Sequence, residues 1–325
     1  SASITITGVV LGATYEWYVD SDAASIQDAI DSASAGDTIH VAAGEYSENV
    51  VIVADKDGLQ LVGAGSGVTS IATASGNPLT LKGNSPGKPL DGITIKGFTL
   101  TTASNDYKLI AQSETSLPYS YDTTNLILED IVVDGGQRGI CLNQVQEVDL
   151  IDVHISNITG EAGDGALELT AVSDLTFTGG SITGNTLGVR LQVHEPYGPN
   201  GDIDIHFSSL TGNTLAVENQ DIFDIDATNN WWGDASGPDD DAGVINGSGD
   251  KISINVDAQP WYATATTREG VYVTVKVGGT DDVRAYSDTI QGGIDVALDG
   301  DTINVAAGDY DAFVVDDRDD LSIIG

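Results

Sequence analysis

An internal repeat constrains this chain more than any other feature. Ser181-Ile182-Thr183-Gly184-Asn185-Thr186-Leu187-Gly188-Val189 returns as Ser209-Leu210-Thr211-Gly212-Asn213-Thr214-Leu215-Ala216-Val217, a shift of 28 residues. Ahead of these runs, Asp174-Leu175-Thr176-Phe177 is echoed at the same shift by Asp202-Ile203-Asp204-Ile205. Asp224-Ile225-Asp226 follows, and earlier units begin near Gly92-Ile93-Thr94-Ile95, Asn125-Leu126-Ile127-Leu128 and Val148-Asp149-Leu150-Ile151. Each unit is an alternating strand, a bend with Gly or Asn, and a second short strand. Alternation sends one set of side chains inward. Asn and Gly accept the left-handed backbone that sharp corners need. One unit of about 20–30 residues cannot bury its own apolar side, whereas a stack of them closes a continuous core. Asn at equivalent corners can also stack into hydrogen-bonded ladders.

A longer repeat encloses the short one. Gly36-Asp37-Thr38-Ile39-His40-Val41-Ala42-Ala43-Gly44-Glu45-Tyr46 recurs from Gly300 to Tyr310, and Ser25-Ile26-Gln27-Asp28-Ala29-Ile30-Asp31 is matched by Thr289 to Asp295, both at a shift of 264 residues. Gly58-Leu59-Gln60-Leu61-Val62-Gly63 is matched by Asp320 to Gly325. Residues 1–264 therefore read as one module. Residues 265–325 read as the opening strand, capping helix and first coils of a second, with a linker expected near Ala263–Thr267. The spacing of Ile26, Ala29, Ile30 and Ala33 predicts a short amphipathic helix over about 25–35. Ser25 is its N-cap and Gly36 its C-terminal glycine. It is expected to cover the open end of the solenoid.

Composition fits this picture and narrows the partners. There are 39 Gly and 5 Phe, which suits many tight turns around a core of Val, Ile, Leu and Ala. Twelve Lys and Arg against 50 Asp and Glu give a formal net charge of -38. Such a surface repels phosphate backbones, so nucleic acid is excluded as a partner. Dense carboxylates suit high salt, or Ca²⁺ or Mg²⁺ bound as a structural ion; plain solvation is the competing reading. No apolar run reaches the ~18 residues of a membrane span, so no membrane insertion is expected. Single Cys141 has no internal disulfide partner and reads as a buried small hydrophobe. Ser1-Ala2-Ser3-Ile4 reads as a mature end left by signal-peptide removal. Asn157-Ile158-Thr159 and Asn246-Gly247-Ser248 are glycosylation sequons. Together these point to an extracellular, cell-surface protein.

The opening run resembles a known family through Ile26-Gln27-Asp28-Ala29-Ile30, Gly36-Asp37-Thr38-Ile39, Ala43-Gly44-Glu45-Tyr46, Glu48-Asn49-Val50-Val51-Ile52 and Gly58 to Gly63. The family is the right-handed parallel β-helix proteins of the pectin-lyase-like superfamily. Asn229-Asn230-Trp231-Trp232-Gly233-Asp234-Ala235-Ser236-Gly237-Pro238 is similar to the closing motif of such domains on microbial, especially archaeal, surface-layer and sheath proteins. The resemblance implies an all-β, right-handed parallel β-helix. It says little of activity, because the family includes lyases, esterases, hydrolases, surface-layer proteins and adhesins. Pectin methylesterases share the opening signature, yet their later Asp and Arg motifs are not found here. In this setting Trp231 and Trp232 are expected to plug the C-terminal end of the core, with Trp261 packed nearby, rather than to stack on a sugar ring.

Arg138, His154, Arg190 and His194 are the cationic or imidazole candidates within the solenoid. Strand alternation in Arg190-Leu191-Gln192-Val193-His194-Glu195 places Arg190, Gln192 and His194 on one face. With Glu195 this set could bind and deprotonate an acidic sugar. The competing reading is an Arg paired with one of many carboxylates. Asp202, Asp204, Asp224 and Asp226 point outward on successive coils about 4.8 Å apart, where a Ca²⁺ would relieve their repulsion. Asp239, Asp240 and Asp241 form a second acidic group. The alternating strands holding Ile4, Ile6 and Val9, and Val271 and Val273, together with Ile323 and Ile324 of the last strand, offer apolar edges for strand addition. The leading expectation is thus a structural subunit of a surface layer, sheath or filament that joins copies of itself head to tail. The alternative is a secreted polysaccharide lyase or hydrolase, or an adhesin for cell-surface glycans.

Overall fold

A computed structural model describes residues 14–19, 25–83, 88–113, 121–160, 164–194, 197–241, 243–265, 273–280, 282–316 and 318–325. Successive short strands lie directly over one another in parallel and close around one core, as a parallel β-helix. Among the described residues they form sheets of 15, nine and five strands. The repeat is the register itself. Ser181 lies against Ser209, Ile182 against Leu210 and Thr183 against Thr211, and Leu187 and Val189 lie against Leu215 and Val217. A shift of 28 residues is therefore one coil. Leu175, Phe177, Ile203 and Ile205 alternate inward, and each is buried.

The coil corners are left-handed residues placed at matching heights. The long strands Thr94–Thr102, Thr123–Asp134 and Val145–Ser156 bend in mid-course. They do so at Gly97 (φ 79°), Asp130 (φ 51°) and Asp152 (φ 54°). Glycine is needed at the first of these, because a Cβ there would meet the Gly63 carbonyl oxygen at 3.0 Å. Asp tolerates this conformation through local hydrogen bonding, and Asp130 accepts from both the amide and the hydroxyl of Ser66. A further corner carries the expected Asn ladder. The Asn185 amide donates to Asn213 Oδ1 at 2.9 Å, and Asn213 in turn donates to Asp250 at 2.9 Å.

The first helix, α1 (Ile26–Ser32), is capped by Ser25, whose hydroxyl accepts from the Asp28 amide. It buries Ile26, Ala29 and Ile30 against the first coil. It is shorter than the spacing predicts. The chain turns extended at Ala33, and Gly36 (φ 81°) serves the turn before the strand Thr38–Val41. The second helix, α2 (Ile290–Val296), repeats this arrangement with Thr289 as its N-cap.

The tryptophans do not end the core. Trp232 is fully buried, and the Trp261 indole donates to the Ala235 carbonyl. Beyond them, Trp261 and Tyr262 pair in parallel with Ala285 and Tyr286 of the second copy. The Ala263 amide donates to the Tyr286 carbonyl at 2.7 Å. So the segment expected to be a linker is, at Ala263, part of a coil-to-coil contact. The strand Val273–Lys276 then runs antiparallel between Val283–Ser287 and Thr302–Val305. Val273 is therefore buried and paired on both sides, not the free edge expected of it. Ile4, Ile6, Val9 and Val271 lie outside the described residues. Ile323 and Ile324 are exposed in the outermost strand of the five-stranded sheet.

Candidate functional site

The outer face of the nine-stranded sheet carries one row of polar side chains across successive coils. Cys141 lies against Glu168, Glu168 against Arg190, and Arg190 against Glu218. Their neighbours on either side, such as Leu167, Leu169, Val189 and Leu191, point into the core. Strand alternation thus fixes the row as outward-facing. Glu168 is nevertheless only 5% exposed. An outward carboxylate on a solenoid face that is shielded from water is unusual, and its surroundings explain it.

Tyr107 and Arg138 come from the turns that precede their strands. The Tyr107 hydroxyl donates to Glu168 Oε2 at 2.8 Å, and the Gly165 amide donates to Oε1 at 3.1 Å. The Gln192 amide lies 3.4 Å from Oε2. The Arg138 guanidinium sits 5.1 Å from the centre of the Tyr107 ring, a cation–π contact. Its Nε is 3.3 Å from Asp164. The buried Lys108 ammonium donates to the Arg138 carbonyl at 2.8 Å and so fixes the turn that presents it. Arg190 Nε lies 3.0 Å from Glu218.

This packing shifts the acids. Burial pushes the Glu168 carboxyl above the usual carboxylate range, and the hydrogen bonds from Tyr107 and Gly165 offset only part of that. Burial, then the charges of Cys141 and Glu168, push the Tyr107 hydroxyl up as well. Burial and Glu168 push the Cys141 thiol up to about 12, so it is no thiolate nucleophile. A carboxyl raised in this way, hydrogen-bonded to a phenol, is suited to take up and return a proton.

The expected Arg190 set is only partly assembled. Arg190 and Gln192 do share the outward face, but the strand stops at Gln192. His194 turns away and stacks on Tyr197 with ring centres 4.9 Å apart. Glu195 lies outside the described residues. Arg190 is paired with a carboxylate, the competing reading of the sequence. His154 belongs to the largest sheet, between Asp152 and Ser181. Asn157 and Asn246 are exposed.

Of the acidic residues considered for a cation, Asp204 and Asp226 come together, and they bring His206 with them. Asp202 is a left-handed corner residue (φ 51°) and, with Asp224, stands outside that group. Asp239 faces Lys251 at 3.5 Å. Among the described residues, Asp239, Asp240 and Asp241 form no group able to share an ion. Sequence reasoning missed Tyr107, Glu168 and His206. A signal for Glu168 existed, because Leu167-Glu168-Leu169 repeats the apolar–charged–apolar triplet Val189-Arg190-Leu191 on the next coil.

No protein-family model matches the chain, and no curated protein matches it. Among solved structures it is similar to ORF18 of Geobacillus virus E2, at 15% identity and a TM-score of 0.48, over 63% of this chain and 47% of that one. It is also similar to the A-module of the Azotobacter vinelandii mannuronan C-5 epimerase AlgE6, at 18% identity and a TM-score of 0.47, over 74% of this chain and 71% of that one. A third is the pectin methylesterase from carrot, at 13% identity and a TM-score of 0.36, over 77% and 86% of the two chains. The chain spans about half the length of the viral protein.

Proposed function

We propose that this β-helix acts on an extracellular acidic polysaccharide along the outer face of its nine-stranded sheet, with Glu168 as the group that transfers a proton. The carrying observation is the Glu168 carboxyl, aimed outward yet buried and raised, held by the Tyr107 hydroxyl at 2.8 Å. Arg138 and Arg190 lie on neighbouring coils, paired with Asp164 and Glu218, and a uronate group would compete with those carboxylates for them on a chain whose net charge of -38 otherwise repels it. General acid or base catalysis contributes typically about 10²–10⁴-fold. Glu168→Gln should therefore lower turnover on uronic-acid polymers by about 10² or more, while Tyr107→Phe lowers it less. Polymers of mannuronate, guluronate and galacturonate, free and esterified, would be incubated with the protein and analysed by mass spectrometry and NMR. If wild type leaves every polymer unchanged, or Glu168→Gln keeps full turnover, this reading is overturned.

A second reading is a structural subunit that joins copies of itself head to tail. The observation that favours it is the coil-to-coil junction, where Trp261 and Tyr262 pair with the second copy and the core runs on without a break. Electron microscopy of the purified protein checks this reading. Ordered filaments or sheets support it, and monodisperse particles oppose it.

A further inference from the structure

Asp204, His206 and Asp226 sit on the outer face of the largest sheet, away from the Glu168 row. Asp204 lies directly against Asp226 on the next coil. One ligand atom from each of the three residues falls within 4.8 Å of the others. The imidazole is oriented from outside the group. Its Nδ1 lies 2.9 Å from the Thr228 carbonyl oxygen, which can only accept, so Nδ1 carries the proton and donates. That leaves Nε2 pointing at Asp226 Oδ2, 3.6 Å away. Asp226 Oδ1 is held in turn by the Thr228 amide at 3.0 Å. One threonine backbone thus aims both the imidazole and the carboxylate.

The separation matters. At 3.6 Å the two atoms are too far apart for a hydrogen bond. Two ligands bound at ~2.1 Å to one tetrahedral ion lie about 3.4 Å apart, close to what is found. A ring N–H donated to a backbone carbonyl is also the usual support of a metal-bound histidine. The imidazole nitrogen selects the ion class. Ca²⁺ takes oxygen ligands, whereas nitrogen with carboxylate suits Zn²⁺ and similar first-row ions.

We propose that Asp204, His206 Nε2 and Asp226 bind one divalent first-row transition ion, with water completing its coordination. The ion clamps the strand Gly201–His206 to the coil that follows it. It also relieves the repulsion between carboxylates facing each other across that step. Asp204 completes the site by a small side-chain rotation.

The test uses the whole protein, stripped with EDTA and then given Zn²⁺ or Co²⁺ alone. Calorimetry should show one saturable site, Zn²⁺ should raise the melting temperature, and Co²⁺ should give the visible bands of a tetrahedral or five-coordinate complex. His206→Gln and Asp226→Asn should each weaken binding at least tenfold and abolish the Co²⁺ bands. Asp202→Asn, outside the group, should change neither, and a tenfold excess of Ca²⁺ should not displace Zn²⁺. Circular dichroism confirms that each variant is folded, and loss in Asp226→Asn alone suffices if His206→Gln is not. The proposal is overturned if wild type shows no saturable site. It is equally overturned if binding survives in a folded variant of either ligand, because the acidic surface then takes up ions without this geometry.

Discussion

Residues 25–63 and 289–325 are two versions of one opening, and the structure places them in different surroundings. In both, an aspartate ties the turn after the helix to the strand alongside. Asp37 accepts from the amides of Tyr15 and Ser34 and from the Trp17 indole. Asp301 accepts from the amides of Gly278 and Leu298 and from the Arg284 guanidinium. The two helices differ more. Asp28-Ala29 of α1 becomes Gly292-Gly293 in α2. A Cβ on Gly292 would lie 2.5 Å from Ser287 Oγ and 3.1 Å from Thr264 of the first copy, and one on Gly293 would lie 2.8 Å from Val273. In the second helix the neighbours leave no room for side chains at the positions where the first carries Asp28 and Ala29. Leu61 is fully buried because Ile95 of the next coil roofs it. Local sequence is enough to shape a coil, and burial comes from its neighbour, as expected of a quasi-one-dimensional stack.

The sharpest way to break this comparison is to remove the two aspartates. Asp301→Ala strands the Arg284 guanidinium, only 17% exposed, without its partner. Breaking such a pair costs about 3–5 kcal/mol. Asp37→Ala strands neutral donors and should cost less, about 1–3 kcal/mol. Hydrogen exchange in the strands Thr38–Val41 and Thr302–Val305 reads each loss locally. Equal losses would show that the charge of the partner is immaterial.

The helices give a smaller effect of opposite sign from simple propensity. Alanine is a better helix former than glycine by about 1 kcal/mol. Yet Gly293→Ala should destabilise α2 and its joint by about 1–3 kcal/mol, because its methyl group meets Val273. The mirror change Ala29→Gly in α1 should cost about 1 kcal/mol for lost propensity and packing. Thermal melting of both variants checks this. A stabilised Gly293→Ala would mean that the strand Val273–Lys276 gives way without cost.

What the sequence reveals, and what it hides, follows the same division between local and neighbouring coils. The shift from Ser181 to Ser209 predicts the register because identical coils stack best in phase. The Asn185–Asn213 ladder follows from it. Corners at Gly and Asn are legible, but those at Asp130, Asp152 and Asp202 are not, since an aspartate in an alternating run reads as an outward side chain. The alternating pattern therefore groups Asp202 with Asp204, although its backbone turns a corner. The Glu168 site is assembled from turns at Tyr107 and Arg138 and strands at Glu168 and Gln192, four different coils. No single stretch of chain displays it. His206 is hidden for the same reason, because the threonine that aims it lies 22 residues on.

The smallest expected effect is a difference in acid sensitivity between the two openings. Burial pushes both aspartates up, but their donors outweigh it. For Asp37 these are the Trp17 indole, the Tyr15 and Ser34 amides and the Lys56 charge, and for Asp301 they are Arg284 and the Leu298 and Gly278 amides. Both carboxyls therefore sit below the usual carboxylate range. A folded pKa below the unfolded one means that the unfolded chain binds protons first as pH falls. The stabilisation is fully present above the ordinary aspartate value of about 3.9 and disappears as pH drops through the lower folded value. Asp37→Asn and Asp301→Asn should each flatten the fall in melting temperature below pH ~4. Because Arg284 keeps its charge at every pH in that range, acid should loosen the second opening more sharply than the first. Between pH 4 and pH 2.5, hydrogen exchange would show a larger loss of protection in Thr302–Val305 than in Thr38–Val41. A larger loss in Thr38–Val41 would mean that the charge of Arg284 does not set the acid response.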